Sequence, residues 1–451
     1  MSKLKKWISQ NILFVLLAVI TLLFGFLNSG TRYNFIAITS LITIGLLSLC
    51  VIFLLNDKKG ISLNKTFGVF NFFFFSLAPI VQFKNYSSFY IDRTFSIEMY
   101  LNLALLLNVV LVLYILMYSW FFYSFSKNEI KKNEEIKMVK VNPYTLFLLS
   151  VLAFFSYLFL IKFDFSLLFI RPPMFYLKHN TNFGFLGYAI LLVVKLIPFI
   201  VLVYYKLLNP RNDKFTLLLL AVVILVFLPT ASERVYTGLV YLPLFLLFIP
   251  KLKEGYNFIV LFFFGLLIVF PVLNNFRYGF VNDIDWTYEM FNTGHFDAFQ
   301  NFMILLDEQI ITYGRQLLGS VLFFVQENTW PGRPVGSGHL LGEHVGYEFL
   351  NVAMPFFGEG YVNFGLIGVL LFVIIAAVFN SFFDVLDKNN PLNIFFTIGF
   401  YILIAFELYI LRGDLMSSIK ISTSIILAVT IVYFYIKLLI SLKSSKIEKR
   451  G

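Results

Sequence analysis

Long apolar runs recur along almost the whole sequence, and they restrict its fold more than any other feature. A helix needs roughly 20 apolar residues to cross a bilayer core about 30 Å thick. We find about twelve such runs, at residues 7 to 27, 34 to 55, 67 to 82, 98 to 124, 143 to 162, 184 to 207, 215 to 230, 235 to 250, 256 to 274, 356 to 382, 393 to 411 and 419 to 440. The sequence therefore predicts an all-α polytopic membrane protein with about twelve transmembrane helices.

Composition supports this fold class. Hydrophobic residues make up 59% of the 451-residue chain and charged residues 13%, which is more apolar surface than a soluble fold buries. We expect one membrane domain over residues 1–451. The seventh and eighth runs are short and are separated by residues 231–234, so they either cross the membrane twice or form a re-entrant hairpin.

Lysine and arginine in alternate connections predict the orientation. Positive charge is retained in the cytoplasm during insertion, and the set of connections that includes both termini and residues 125–142 is the richer in these residues. Both termini are therefore expected in the cytoplasm. The longest connection, residues 275–355, is then a large loop on the outer face.

Arginine breaks this bias. Only Arg211 and Arg450 fall on the cytoplasmic side, whereas the other arginines and all four histidines are expected outside. A planar guanidinium fork fits carboxylate or phosphate, so the outer arginines indicate an anion site, although salt bridges to outer Asp and Glu are the alternative. The net charge of +10 serves insertion, and we expect no nucleic-acid partner.

The large loop carries local structure. Phe299, Met303, Leu306 and Ile310 recur at helical spacing and predict an amphipathic helix lying at the interface. The later apolar run 317–325 is too short to span, and we expect it to dip into protein or the headgroup layer. An irregular turn at residues 330–334 and an adaptable stretch rich in glycine should follow, at Gly336, Gly338, Gly342 and Gly346.

Other sites are few. The single cysteine, Cys50, lies within an apolar run, so we expect neither a disulfide nor a thiol nucleophile. We predict no metal and no cofactor. Glu407 lies near the outer end of the eleventh run, where an acid is costly in lipid, and we expect it to form an ion pair with an outer arginine.

Three stretches carry a family resemblance: TYGRQLLGSVLFFV, TWPGRPVGSG and LNVAMPFFGEGYVNFGLIGVL. They resemble the Wzy-type polymerases of O-antigen and capsular oligosaccharide repeat units, locally, over about residues 312–370. In that family a W-P-x-[KR]-P turn precedes a motif that is matched here by Asn351, Pro355, Gly358, Glu359, Tyr361, Asn363, Phe364, Gly365 and Gly368.

The resemblance implies a type C glycosyltransferase-like enzyme of the bacterial inner (plasma) membrane. Such an enzyme transfers a growing glycan from undecaprenyl diphosphate to the next carrier-linked repeat unit on the outer face. Implied partners are the undecaprenyl-diphosphate-linked oligosaccharide, membrane lipid, a chain-length regulator and a flippase.

That reaction has two chemical needs. The departing diphosphate needs cations, for which the candidates are Arg277, Arg315, Arg333, Arg412, Arg234 and Arg171. The acceptor hydroxyl needs a base, for which His339, His344 and Glu359 are the candidates. Glu359 has a rival role, in which it fixes the return of the loop into the next span by hydrogen bonds.

Two other functions stay open. The first is another lipid-linked glycan transferase: a ligase that moves the finished glycan to lipid A core or to cell-wall polymer, or a peptidoglycan-type polymerase. Either would share the outer arginines and the large loop. A polysaccharide flippase or other transporter predicts charges buried in mid-span and short outer loops, whereas the charges of this sequence crowd the outer ends of the spans.

Overall fold

A computed structural model describes residues 12–27, 34–55, 60–85, 88–127, 141–172, 176–269, 271–272, 288–326, 328–389 and 394–448. Across these residues the structure is helical and contains no strand, which confirms the all-α class. In chain order the helices are α1 (Ile12–Leu27), α2 (Phe35–Phe53), α3 (Leu63–Phe72, continued by a π-helical turn Phe73–Leu77 and by Ala78–Asn85), α4 (Ile97–Lys127), α5 (Pro143–Leu160), α6 (Tyr176–Asn180), α7 (Gly184–Val194), α8 (Ile197–Leu208), α9 (Lys214–Val226), α10 (Arg234–Phe248), α11 (Asn257–Phe264, continued by a π-helical turn Gly265–Val269), α12 (Ala298–Asp307), α13 (Arg315–Val321), α14 (Ser337–Val345), α15 (Phe356–Asn389), α16 (Ile394–Arg412) and α17 (Leu415–Glu448).

Eight helices in the described parts of the chain are long and apolar enough to cross a membrane, so the chain is a polytopic membrane protein. They are α2, α3, α4, α5, α7 with α8, α15, α16 and α17. The shorter apolar helices α1, α9, α10 and α11 fall on the remaining predicted runs. Whether these four also cross stays a prediction, as does the total of twelve.

Helix α3 lies at the centre of the bundle. In the most apolar stretch of α3, 94% is buried inside the protein, whereas the corresponding share for α17 is 22%. Its phenylalanine run packs ring against ring, with Phe72 and Phe73 both contacting Phe263. Polar groups on so buried a helix need partners, and the hydroxyl of Ser76 donates to the carbonyl of Leu41 on α2 (2.8 Å).

Helix α15 is interrupted near its start. Phe364 (φ −142°, ψ 20°) and Gly365 (φ 63°, ψ −149°) leave helical geometry, and the chain folds back so tightly that a Cβ on Gly360 would lie 2.5 Å from the carbonyl oxygen of Gly368. The positive φ of Gly365 favours glycine, and the close approach excludes any side chain at Gly360. The interruption divides the predicted tenth run into a short helical turn and the long helix that follows it.

The loop segment, which comprises residues 288–326 and 328–355, packs over one end of the bundle, which we call the loop end. The side-chain amide of Gln82, near the end of α3, donates to the carbonyls of Phe291 and Phe296 (3.0 and 2.9 Å). Helix α12 confirms the predicted helical spacing, and its residues from Ala298 to Leu305 are all buried within the protein. Gln300 and Asn301 are as buried as its apolar residues, because the amide of Asn301 bonds to Asp297 and to the carbonyl of Ala353.

The stretch that follows also differs in part from expectation. The irregular turn at residues 330–334 is present, but Gly338 and Gly342 belong to helix α14 rather than to an adaptable segment. Both glycines lie against neighbouring chain. A Cβ on Gly338 would collide with the carbonyl of Val352, and one on Gly342 would lie 3.0 Å from a side-chain carbon of Leu350. Glycine here permits close packing of α14 on the chain that enters α15.

Candidate functional site

The turn between α16 and α17, residues 412–416, is the point at which the loop segment joins the bundle. Arg412 donates to the carbonyl of His295 (3.1 Å) and to the carboxylate of Asp297 (2.9 Å). Gly336 lies so close to the Asp414 carboxylate that a Cβ would be 2.7 Å from its Oδ2. Met416 contacts a guanidinium nitrogen of Arg333 through its sulfur (3.6 Å). Distant parts of the loop therefore converge on this turn.

Asp297 is the buried carboxylate that pairs with Arg412. Its carboxylate is 1% exposed and accepts hydrogen bonds from Tyr90 (2.9 Å), Asn301 (3.1 Å) and the backbone N–H of Ala353 (3.1 Å), besides Arg412. Burial, together with the charge of Asp297, raises the pKa of the Tyr90 hydroxyl, so the phenol stays protonated and donating. A buried carboxylate that is bonded on both oxygens and paired with a partly exposed arginine fixes the position of the loop.

Arg234 lies beside the same segment. One guanidinium nitrogen of Arg234, at the start of α10, is 3.3 Å from Nδ1 of His295. The preceding residue, Glu233, acts electrostatically on Lys195, whose ammonium lies 3.2 Å from the ring centroid of Tyr236. The start of α10 and the break between α7 and α8 thus bring further charge to the loop end.

Arg315 and Arg333 form a second group, at the irregular turn. Arg315 is exposed and donates to the carbonyl of Gly332 (2.7 Å), and Arg333 donates to the carbonyl of Val325 (2.6 Å). Within the described residues neither guanidinium pairs with a carboxylate. The two side chains are therefore held by neutral acceptors, and their positive charges remain available to an anion.

An apolar groove lies beside this second group. It has a volume of about 370 Å³ and is lined by Ile311, Tyr313, Phe364, Ile367 and Leu371. Tyr313 is 87% exposed and has a positive φ of 52°, a strained conformation for a bulky residue. The groove thus sits where the interrupted start of α15 meets the chain that leads into Arg315.

Glu359 is buried in the join between loop and bundle. It is 1% exposed, and its two oxygens accept from the hydroxyl of Ser337 (2.7 Å) and from the backbone N–H of Leu415 (2.8 Å) at the start of α17. Nearby, Asn363 accepts from the N–H of Leu317 (2.7 Å). These contacts match the role in which Glu359 fixes the return of the loop into the span.

The two candidate histidines, His339 and His344, have different partners. His339 pairs with Glu343 one helical turn away on α14 (3.0 Å), and it acts electrostatically on Asp414. His344 lies 3.8 Å from Glu308, which is itself paired with Arg93. His339 is thus the one that faces the turn between α16 and α17.

Arg171 and Arg277 are the last two candidate arginines. Arg171 follows the 3-10 turn Phe165–Leu168, whose Leu168 packs in a separate small apolar cluster with α5 and α7. Arg277 lies outside the described residues. Sequence reasoning missed Asp297 and Asp414 as site residues, although each precedes a helix, the place where an acid often caps a helix N-terminus.

Metal ligation finds no support in the described ranges, where no three His, Cys, Asp or Glu side chains group closely enough to hold an ion. Comparisons of the chain with protein-family models, with characterised proteins and with solved structures give no match.

Proposed function

We propose that this protein polymerises lipid-linked oligosaccharide repeat units of an O-antigen or capsule. In this proposal the growing glycan is transferred from its undecaprenyl diphosphate carrier to the next carrier-linked repeat unit, on the outer face of the bacterial inner membrane. The loop end of the bundle is then the outer end. The proposal makes the chain a membrane glycosyltransferase.

The observation that carries the proposal is the pairing of charge with apolar surface at the irregular turn. Arg315 and Arg333 keep their charges uncompensated by any described carboxylate, and the chain before Arg315 lines an apolar groove. A polyprenyl diphosphate combines these two chemistries, an anionic headgroup and a hydrocarbon tail. The segments that resemble the polymerases, residues 312–370, supply both features.

The leaving group is stabilised by charge. As the bond from the sugar carbon to the diphosphate oxygen breaks, negative charge grows on that oxygen, and Arg315 and Arg333 are the groups that would receive it. One preorganised donor of this kind is worth roughly 3 to 4 kcal/mol of barrier lowering. Arg412 and Arg234 have a supporting role, because Arg412 is already paired with Asp297 and Arg234 lies beside His295.

The acceptor hydroxyl must lose a proton as the new glycosidic bond forms. His339 is the best-placed candidate, since it is partly exposed, it is oriented by Glu343, and it faces the turn that carries Arg412. Glu359 already accepts two hydrogen bonds in a buried position, so it serves better as the brace that holds α14 to α17.

Deletion of the gene followed by sizing of the surface polysaccharide tests the proposal. A polymerase predicts that only a single repeat unit remains on the carrier or its acceptor, and that the plasmid-borne gene restores the ladder. A ligase would instead leave full-length glycan stranded on the carrier. Unaltered ladders on the cell surface would refute both.

A further inference from the structure

A chain of hydrogen-bonded polar side chains runs through the interior of the bundle, away from the loop end. Asn380 on α15 donates to Glu407 on α16 (2.7 Å) and to the hydroxyl of Tyr114 on α4 (3.0 Å). Tyr114 donates in turn to Asn64 on α3 (3.1 Å), whose amide donates to the carbonyl of Val51 (2.9 Å). Four helices and the end of α2 are linked in this way.

Two acids belong to this interior, and their surroundings differ. Asp384 on α15 is 1% exposed, and it accepts from the backbone N–H groups of Leu63 (2.9 Å) and Asn64 (3.3 Å) and from the hydroxyl of Tyr118 (2.9 Å). These three donors, two of them at the N-terminus of α3, satisfy an ionised carboxylate. Asp384 is therefore a fixed negative charge with a structural role.

Glu407 lacks that support. It is 4% exposed, its Oε1 receives the single bond from Asn380, and its Oε2 has no hydrogen-bond partner within the described residues. The charge that acts on it is the negative one of Asp384. No described arginine forms the predicted ion pair with Glu407. An ionised carboxylate in this place would be a buried charge with one donor and no cation, which is far costlier than a neutral acid.

We propose that Glu407 is a proton-binding site in the membrane interior, which holds its proton on Oε2 at neutral pH. The ligand is the proton itself, and it binds to Oε2, the oxygen to which no described group donates a hydrogen bond. Loss of the proton would place a second negative charge near Asp384 and weaken the contact between α15 and α16. Because α16 also ends in Arg412, the site bears on the helix that anchors the loop segment.

Labelling with a hydrophobic carbodiimide tests this proposal directly. Dicyclohexylcarbodiimide reacts with protonated carboxyl groups in apolar surroundings, and the product is retained as an acylurea that peptide mass spectrometry can locate. Applied at neutral pH to membranes containing the full-length protein, it should modify Glu407 and leave Asp384 unmodified. Asp384 is the matched control, since it is equally buried and lies in the same interior. Glu407→Gln should abolish the modification.

Infrared spectroscopy provides the second measurement, which does not depend on access of the reagent. The purified protein should show a carbonyl band of a protonated carboxylic acid that is lost in Glu407→Gln and kept in Asp384→Asn. Absence of that band in the wild-type protein overturns the proposal, as does carbodiimide modification of Asp384 in place of Glu407. Suppression of the labelling by sodium or potassium at constant pH would also overturn it, because the oxygen would then bind a metal cation.

Discussion

Two arginines at the loop end, Arg412 and Arg315, hold the same segment of chain in opposite ways. Arg412 pairs with a carboxylate that is 1% exposed and bonded on every side, whereas Arg315 rests on a backbone carbonyl at the surface. Both residues were equal candidates for binding a diphosphate. Arg412 therefore has an anchoring role, whereas the charge of Arg315 remains available to an anion, and the partner that each guanidinium meets decides between the two.

The largest effect should come from Arg412→Ala. It leaves Asp297 buried without its cation, so we expect the free energy of unfolding to fall by about 3–5 kcal/mol. Thermal unfolding of the purified protein in detergent measures this. Arg412→Ala combined with Asp297→Asn should recover part of the loss. An unchanged unfolding temperature in Arg412→Ala would show that the pair is no anchor.

Arg315→Ala should show the reverse pattern. Its carbonyl contact is exposed, so stability should change little, while polymer formation should fall by a factor of about 100 or more if the guanidinium binds the leaving diphosphate. Ladder length and yield in cells with matched protein levels provide the measurement. Arg211→Ala, at an exposed arginine far from residues 312–370 in the sequence, is the control. Wild-type ladders from Arg315→Ala would show that Arg315 does not bind the diphosphate.

Gly365→Ala tests the support of the Arg315 side. The positive φ of Gly365 strains any other residue, and we expect a loss of about 1–3 kcal/mol. The loss should extend to activity, because Asn363 and the carbonyl of Val362 hold the chain that leads into Arg315. Gly399→Ala is the matched control, since a methyl group there meets nothing within 4 Å. Equal stability of the two variants would contradict the strain argument.

Glu359→Gln tests the support of the Arg412 side. A glutamine offers one acceptor where two donors, Ser337 and the N–H of Leu415, now bond, so a loss of about 1–2 kcal/mol is expected. Residual polymerisation at permissive temperature, with lower thermal stability, would match a bracing role. Complete loss of activity in a variant of normal stability would instead return Glu359 to the list of candidate bases.

The smallest effect concerns Asp414. Burial raises the pKa of its carboxyl, against the opposing influence of Lys420 and His339. The folded state therefore binds a proton more tightly than the unfolded state, and this group's contribution to stability falls as pH rises from about 4, the ordinary value, through the raised one. Asp414→Asn, whose side-chain oxygen can still accept from the backbone N–H of Ser417 at the start of α17, should make stability depend less on pH, which thermal unfolding across this pH range measures. A steeper slope in the variant would reverse the assignment.

Hydropathy predicted the helices well because membrane insertion depends on local composition. Every predicted apolar run is occupied by a helix, and the spacing of Phe299 and Met303 correctly predicted α12. The burial of Gln300 and Asn301 was not predictable, since their surroundings come from residues far along the chain. Among the described residues, Glu407 bonds to Asn380 rather than to Arg412, because its depth in the bundle, rather than nearness in sequence, decides which groups it meets.

The candidate site was likewise predictable only where local sequence determines the structure. The sequence identified the irregular turn and the return into α15, because Trp-Pro and Asn-Phe-Gly are strong local signals. It did not separate anchoring arginines from uncompensated ones, because that depends on whether a carboxylate such as Asp297 lies opposite. Nor did it locate the break at Phe364 and Gly365, whose position is set by backbone bonds from Thr312 and Gly314 to the carbonyls of Val362 and Asn363.

The contacts of Asp297 also set an order of events during biosynthesis. Its partners extend along the chain from Tyr90 to Arg412, so the ribosome must complete most of the protein before the last of them exists. Before α16 has been synthesised, the segment that carries Asp297 has no Arg412 to pair with. The pairing of Asp297 with Arg412 is therefore the last of these contacts that can form.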